Sequence, residues 1–291
     1  MGCEGLSLQT MNPLKTASSP PLLPEVRDIA FTRPFIWLKK GWADLRHTPS
    51  LSLFHGFAVA VVGYVIAVVA HDKFWLLASA VSGFLVVAPL LATSLYAMSC
   101  AIEKGRPVNF ALLIRIWTQW QLQFRHQPDS YWSLIRFGLL LAAAATGWVM
   151  TSSALITLFS PAPVRAPIDF IRHVVLSKEN YVFEIWLCLG GMMAAPVFAS
   201  SVVTLPLLLD RRISVLQAVL TSWKTVIRNP GTMATWSCLI MGLWTLGVMS
   251  IFLGLIFILP WLGHASWHAY RDLVNVEGWP DRMSSQDEDC R

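Results

Sequence analysis

The feature of this chain that most limits its fold is a series of apolar stretches, each long enough to cross a lipid bilayer. Leu51–Ala70 has Ser52 and His55 as its markedly polar residues, and Phe74–Cys100 carries no formal charge. An α-helix rises about 1.5 Å per residue, so about 20 residues span the hydrocarbon core. The composition agrees, because 55% of the residues are hydrophobic and 13% are charged, whereas soluble domains have about 25% charged residues. The sequence therefore predicts a helical integral membrane protein.

The remaining apolar stretches complete a predicted set of six spans. Tyr131–Phe159 and Val182–Leu209 are each long enough for one crossing. Thr232–Ala269 contains no Asp, Glu, Lys or Arg and is too long for one crossing, so we expect two spans joined by a tight turn between Gly247 and Gly254. The predicted fold class is an all-α, polytopic transmembrane helical bundle. Its spans are predicted at residues 51–70, 74–100, 131–159, 182–209, 232–248 and 251–270.

An internal proline marks the second helix of each predicted hairpin. These residues are Pro89, Pro196 and Pro260. A proline inside a membrane helix leaves the carbonyl four residues earlier without its usual partner, and neighbouring helices or hydroxyl groups can supply another. We therefore expect three proline-kinked hairpins whose second helices pack inside the bundle.

Two stretches that precede hairpins are amphipathic and predict interfacial helices on the cytosolic leaflet. In the later stretch, Gln217, Thr221, Lys224 and Arg228 form the polar side. The two apolar stripes consist of Phe110, Leu113, Ile114, Trp117, Trp120 and Phe124, and of Ile213, Leu216, Leu220, Trp223 and Ile227.

The ends of the chain differ in composition from its centre. Residues 1–34 predict a disordered cytosolic leader, residues 35–275 the transmembrane domain and residues 276–291 a disordered acidic tail. Most of the 22 lysines and arginines fall in the proposed inner loops, which predicts a multi-pass protein of the bacterial cytoplasmic (inner) membrane with both termini in the cytosol. The net charge of +5 follows from this bias, so nucleic-acid binding is not predicted. The predicted partners are the lipid bilayer and either another membrane protein or a second copy of the chain.

His264 and His268 are the candidate metal ligands of the sequence. They stand four residues apart on one helical face, a spacing that can hold a metal or haem iron. Tryptophans surround them, and the interpretation as ordinary interfacial residues is favoured. His55 would approach this pair if the first and sixth spans share a cytosolic end. The cysteines form no disulfide or zinc pattern, and no catalytic residue and no cofactor is predicted.

Charged groups recur just beyond the cytosolic ends of spans two, four and six. They are Glu103–Lys104, Asp210–Arg212 and Arg271–Asp272. Transporters place acidic residues nearer the middle of the bilayer. We therefore favour surface ion pairs, each worth about 0 to 1 kcal/mol.

Three segments carry a family resemblance: Leu38–Gly56, Leu205–Gly231 and Leu259–Val274, the last of which includes the most specific motif, GHASWHAYRDL. They are similar to a bacterial family of predicted integral membrane proteins of unknown function, domain of unknown function 2189. The resemblance implies a six-helix inner-membrane protein without an assigned activity, and it brings no catalytic residues. Some family members are labelled cytochrome c oxidase subunit I, but haem–copper chemistry needs more histidine ligands than this chain offers.

The sequence favours a non-enzymatic membrane protein, structural or partner-binding, because the charged residues inside the predicted spans, Arg136 and Glu184, lie near span starts and none is predicted at the middle of the bilayer. Two alternatives remain open. A redox or haem-associated accessory is suggested by His264 and His268 alone. A transporter or channel for a small or lipid-like solute is suggested by hydroxyl side chains that follow the internal prolines, namely Thr93, Ser94, Ser200, Ser201 and Thr204.

Overall fold

The computed structural model describes residues 22–114, 128–177 and 181–282, most of which are α-helical. In chain order the helices are α1 (Arg33–His47), α2 (Pro49–Val69), α3 (Phe74–Glu103), α4 (Pro128–Phe159), α5 (Pro167–Phe170), α6 (Val182–Ser201), α7 (Thr204–Asp210), α8 (Val215–Arg228), α9 (Pro230–Met249) and α10 (Leu255–Leu273). A π-helical turn, Ile171–Val175, follows α5. Two short strands, β1 (Glu25–Val26) and β2 (Val274–Asn275), pair in antiparallel fashion.

Four stretches of the described residues are long and apolar enough to cross a membrane. They are Pro49–Val69, Arg136–Phe159, Val182–Asp210 and Pro230–Met249. This confirms the prediction of a helical membrane protein, whereas the number of six spans stays a prediction. The chain turns at Ser250–Gly254, inside the interval where the sequence predicted a tight turn.

Prolines begin the apolar helices that follow α1 and α8. Pro49 starts α2 with Thr48 as the one residue between it and α1, and Pro230 starts α9 with Asn229 as the one residue between it and α8. Proline suits the first turn of a helix because its backbone angle is already helical and its missing N–H would have no partner there. Each amphipathic helix is therefore joined to the following apolar helix by a sharp corner.

Helix α10 is the centre of the bundle, since α1, α2 and α3 all pack against it. Glycines allow these close approaches, because a Cβ in their place would overlap the facing helix. Gly41 on α1 faces Ala265, Gly56 on α2 faces Ile256, and Gly263 on α10 faces Leu95. Small residues at such crossings are typical of membrane bundles, where packing and hydrogen bonds drive helix association.

The internal prolines do not coincide with the clearest helix interruption. Pro196 and Pro260 lie inside α6 and α10, and Pro89 falls within the range of α3. The apolar stretch Val182–Asp210 is instead interrupted at Val202–Val203, between α6 and α7. Pro206 has no N–H to donate to the Val202 carbonyl, which explains why the helix ends there. The three proline-kinked hairpins therefore remain a prediction.

Hydroxyl groups satisfy the backbone at this interruption. The Val203 N–H donates to Ser222 Oγ on α8 at 3.4 Å, and Thr204 Oγ1 donates to the Ser200 carbonyl at 2.5 Å. Ser201 Oγ donates to the Val197 carbonyl at 2.7 Å. Such partners are what permit a broken helix inside a membrane.

The amphipathic helix α8 turns its apolar side away from the protein. Leu216 and Ile227 are 67% and 71% exposed, whereas Ala218 and Ser222 are buried. Thr221, which the sequence placed on the polar side, is also buried and donates to the Gln217 carbonyl. The exposed side is suited to acyl chains, and the small, polar side packs against α6 and α7. Of the earlier stripe, Leu113 is buried, and Trp117, Trp120 and Phe124 lie outside the described residues.

Candidate functional site

A chain of hydrogen bonds runs through the interior where α1, α2, α3 and α10 meet. His264, at the middle of α10, is fully buried. Its Nε2 lies 2.9 Å from Ser52 Oγ and its Nδ1 lies 2.7 Å from Ser99 Oγ. Ser99 Oγ donates to Asp44 Oδ2 at 2.7 Å, and His268 Nε2 lies 2.9 Å from the same oxygen. We call these five residues the buried relay.

The Asp44 carboxyl oxygen is the acceptor at one end of the chain, and it therefore determines which group donates in each hydrogen bond. The Ser99 hydroxyl donates its proton to the carboxyl oxygen, so it accepts from His264 Nδ1–H. A neutral His264 then has a free lone pair on Nε2, which accepts from the Ser52 hydroxyl. Thr48 Oγ1 extends the chain at 3.1 Å from Ser52 Oγ. This arrangement ties four helices together and holds a proton donor and an acceptor on opposite sides of one imidazole.

Both candidate metal ligands of the sequence lie in the buried relay. Each ring nitrogen of His264 faces a hydroxyl group, and His268 Nε2 faces Asp44. His55 is buried nearby at the same end of α2, with Nδ1 bonded to the Leu51 carbonyl at 2.8 Å. Across residues 22–114, 128–177 and 181–282, no three His, Cys, Asp or Glu side chains are grouped to hold a metal ion. The geometry at His264 is that of a hydrogen-bonded imidazole.

Sequence reasoning missed Asp44 and Ser99. Asp44 is 7% exposed and Ser99 is fully buried, so an ionisable side chain is buried among the helices although α1 is not one of the predicted spans. A signal for Asp44 was present, because it falls on the same face of α1 as the buried residues Trp37, Gly41 and Leu45, at helical spacing. An acid within such a stripe indicates a polar partner across the interface.

The charged groups predicted at the span ends meet around the end of α10. Glu103 accepts from Trp267 Nε1 at 2.9 Å and from Arg271 Nε at 3.0 Å. Asp210 is 1% exposed and accepts from Tyr270 Oη at 2.7 Å and from Arg211 Nε at 3.1 Å. These contacts differ from the predicted surface pairs, since they join α3, α7 and α10.

Asp272 fixes the start of α1 to the end of α10. Both of its oxygens bind the Arg33 guanidinium, at 2.6 and 2.7 Å, and Trp37 Nε1 donates at 2.8 Å. Burial alone would raise the pKa of Asp272, but the hydrogen bonds from Arg33 and Trp37 outweigh it and lower the pKa. Because the folded pKa is lowered, the contact stabilises the fold above the ordinary value of about 3.9 and is lost as pH falls through the lowered pKa.

The two ends of the described chain fold onto this end of the bundle. In the β1–β2 pair, Glu25 lies opposite Asn275 and Val26 opposite Val274. The Asp28 carboxylate binds the Arg228 guanidinium through two bonds of 2.6 Å. Further along the tail, Lys104 Nζ donates to Asp281 Oδ2 at 2.8 Å and the Arg282 N–H donates to the Asp210 carbonyl at 2.9 Å. We call residues 25–32 and 274–282 the terminal platform.

The terminal platform includes ordered residues within the two segments, 1–34 and 276–291, for which disorder was predicted. Composition indicated disorder because these segments have few apolar residues. The segments are held instead by backbone pairing and by ion pairs to residues about 200 or more positions away in sequence, such as Asp28 with Arg228 and Arg33 with Asp272. Residues 1–21 and 283–291 lie outside the described part of the chain.

Residues 76–210 match the family described as predicted integral membrane protein (DUF2189). The match confirms the family resemblance and the prediction of an integral membrane protein. It extends from within α3 to the last residue of α7, and it includes Ser99 but not Asp44, Ser52, His264 or His268. No curated protein and no solved structure matches the chain.

Proposed function

We propose that this chain is a non-enzymatic, six-span protein of the bacterial inner membrane that binds a partner through a cytosolic terminal platform. The observation that carries the proposal is the pairing of β1 with β2, which brings the two ends of the membrane domain together. The buried relay serves this architecture by fixing α1, α2 and α3 against α10.

An even number of crossings is supported by the strand pair. Val26 precedes every candidate span and Val274 follows every one, so the two residues can pair on one side of a membrane only after an even number of crossings. Helix α2 leads away from this end, because Ser52 contacts His264 whereas Gly63 faces Phe252 in the turn that precedes α10.

Helices α3 and α10 supply the two crossings beyond the four apolar stretches. Glu103 at the end of α3 bonds to Arg271 at the end of α10, so α3 returns to the end of the bundle from which α2 departed. Helix α10 likewise returns from the turn at Ser250–Gly254. Together with α2, α4, α6–α7 and α9, these two helices give six.

The closed surroundings of the buried relay support a non-enzymatic role. Ser52 beside His264 is the pair that most resembles an activated nucleophile and its base. Both residues are fully buried, and the Ser52 hydroxyl is committed to His264 and Thr48. A substrate could reach this hydroxyl only if α1 or α2 moved away.

A partner-binding role is supported by apolar side chains exposed beside the terminal platform. Leu22 is 83% exposed, Phe31 67% and Phe35 55%. Exposed apolar residues next to an ordered polar surface are typical of contact sites. Another membrane protein or a second copy of the chain could reach these residues at the membrane surface.

The topology is tested by fusing reporters to the full chain. We expect a reporter that is active only in the cytosol to be active after Val274, and a reporter that is active only after export to be active near Pro167. The positive-inside bias and the even number of crossings both lead to this result. An exported signal after Val274 would mean that residues 232–269 cross once, and the six-span proposal would fail.

The binding role is tested by photo-crosslinking in intact membranes. A photoreactive amino acid at Phe31 is expected to give one discrete protein adduct, either a dimer of this chain or a heterologous product. The same amino acid at Met150 on α4, which is 68% exposed in an apolar stretch, is the matched control and is expected to react with lipid. Equal protein adducts at both positions, or none at Phe31, would contradict a platform-specific partner.

A second candidate, a transporter for a small solute, is favoured by the interruption at Val202–Val203. Discontinuous helices form the solute sites of many transporters, and hydroxyl groups of Ser201 and Thr204 flank this break. Transport requires water to reach the interruption, which labelling of Val203→Cys by a membrane-impermeant thiol reagent measures.

A further inference from the structure

A pocket of about 340 Å³ opens in the terminal platform, and three arginines from separate parts of the chain line it. Arg27 comes from the leader, Arg211 from the end of α7 and Arg271 from the last turn of α10, and residues 274–278 form the remaining wall. Ligand pockets range from about 300 to 1,000 Å³, so this one suits a small ligand. Three guanidinium groups around one small space favour an anion.

Two of these arginines are held in place by carboxylates that do not line the pocket. Arg271 binds Glu103 at 2.9 Å, and Arg211 binds Asp210 at 3.1 Å and the Trp279 carbonyl at 2.9 Å. Glu103 and Asp210 are not among the residues that line the pocket. These carboxylates therefore orient the guanidinium groups without occupying the space in front of them.

Arg27 adds a positive charge that lacks a carboxylate within the described chain. Its Nη1 donates to the Arg271 carbonyl at 3.3 Å, which leaves four of its five N–H donors for a ligand. Glu277 is the acid on the pocket wall, and it is exposed to solvent, so water and salt weaken its repulsion of an anion without removing it.

The number of arginine N–H donors in the pocket fits a phosphate ester better than a carboxylate. A carboxylate offers two oxygens and is satisfied by one bidentate arginine, whereas a phosphate ester offers up to three unsubstituted oxygens in a tetrahedral arrangement. Arg271 follows the last predicted span by one residue, which places the pocket at headgroup level. Basic pockets at that level bind phospholipid headgroups, and a small soluble phosphoester has the same chemistry.

We propose that the pocket formed by Arg27, Arg211, Arg271 and residues 274–278 binds a phosphate ester group. This inference rests on the proposed function, because it names the ligand chemistry of the terminal platform. The phosphate belongs either to an anionic phospholipid or to a small soluble phosphoester.

The test uses the full chain in nanodiscs, where both membrane faces are open and the result does not depend on topology. One arm titrates inorganic phosphate, against chloride at equal ionic strength, into phosphatidylcholine nanodiscs. The other arm replaces part of the phosphatidylcholine, a phosphate diester, with phosphatidic acid, whose phosphate monoester has three unsubstituted oxygens. The readout is the apparent melting temperature from tryptophan fluorescence. A saturable rise in the first arm identifies a soluble ligand, and a rise confined to the second identifies a lipid headgroup.

Substitutions in the pocket test whether the rise in melting temperature is caused by binding there. Arg27→Gln is expected to raise the half-saturating concentration of phosphate about tenfold, which corresponds to about 1.4 kcal/mol, or to abolish the phosphatidic acid effect. Arg46→Gln, at an exposed arginine on α1, is the matched control and should retain the wild-type response. Glu277→Gln should bind about threefold more tightly, because it removes the opposing charge.

The proposal is overturned if neither phosphate source stabilises the wild type, or if Arg27→Gln and Arg46→Gln respond alike. If Arg27→Gln does not fold, Glu277→Gln decides, and unchanged binding in that variant overturns the proposal. Failure here leaves the reporter and crosslinking results unaffected, so the pocket and the proposed function can fail separately.

Discussion

Gly56→Ala is expected to destabilise the protein by about 3 kcal/mol or more, because its added methyl group has no room. A Cβ at this position would overlap the backbone carbonyl of Ile256 on α10. A flexible side chain could rotate away, but a helix backbone can yield only if α2 and α10 separate. That carbonyl is also the one that Pro260 leaves without its usual N–H partner.

The matched control is Gly242→Ala on α9. A Cβ at Gly242 would have no neighbour within 4 Å, so the substitution should stabilise the helix by up to about 1 kcal/mol through higher helix propensity. We expect the melting temperature in detergent to fall for Gly56→Ala and to stay level or rise for Gly242→Ala. A Gly56→Ala variant as stable as Gly242→Ala would show that α2 and α10 are not in contact at Gly56.

The helices could be predicted from the sequence because their signal is local. A run of apolar residues must form hydrogen bonds within itself in a bilayer, so its length sets the helix bounds. The stretch predicted at residues 51–70 is α2, Pro49–Val69, and the turn predicted between Gly247 and Gly254 falls at Ser250–Gly254.

Contacts between distant residues could not be predicted in the same way. The leader was expected to be disordered because of its composition. Its partners are Arg228 for Asp28, Asp272 for Arg33 and Val274 for Val26, all more than 190 positions away. Only the three-dimensional arrangement brings these residues together.

The helix interruption at Val202–Val203 depends on which of two prolines ends the helix, and composition does not reveal which one does. Pro196 and Pro206 both lie in the stretch Val182–Asp210, and Pro196 is the one predicted to kink the helix. Helix α6 continues past Pro196 and ends at Ser201, five residues before Pro206. Ser222 on α8 accepts from the Val203 N–H. The position of α8 beside the interruption could not be predicted from the sequence.

The buried relay gives the other large expected effect, through Asp44→Ala. This substitution removes the acceptor of both the Ser99 hydroxyl and His268 Nε2. Helix α1 loses these two bonds to α3 and α10 and keeps those of Arg33 and Trp37 to Asp272. Leaving buried donors without an acceptor costs about 1 to 3 kcal/mol each. We therefore expect Asp44→Ala to lower the free energy of unfolding by about 3 kcal/mol, measured by denaturation in detergent.

The matched control for Asp44→Ala is the same change at Asp72, whose side chain is 60% exposed and lies 3.8 Å from His71. Substitution at such a site should alter stability by no more than about 0.5 kcal/mol. A double mutant then separates a connected chain from independent contacts. Ser99→Ala should cost at least about 1 kcal/mol less in the Asp44→Ala background than alone, because its hydroxyl has already lost the acceptor. Additive effects of the two substitutions, or an Asp44→Ala variant as stable as Asp72→Ala, would show that Asp44 and Ser99 do not act as one hydrogen-bonded unit.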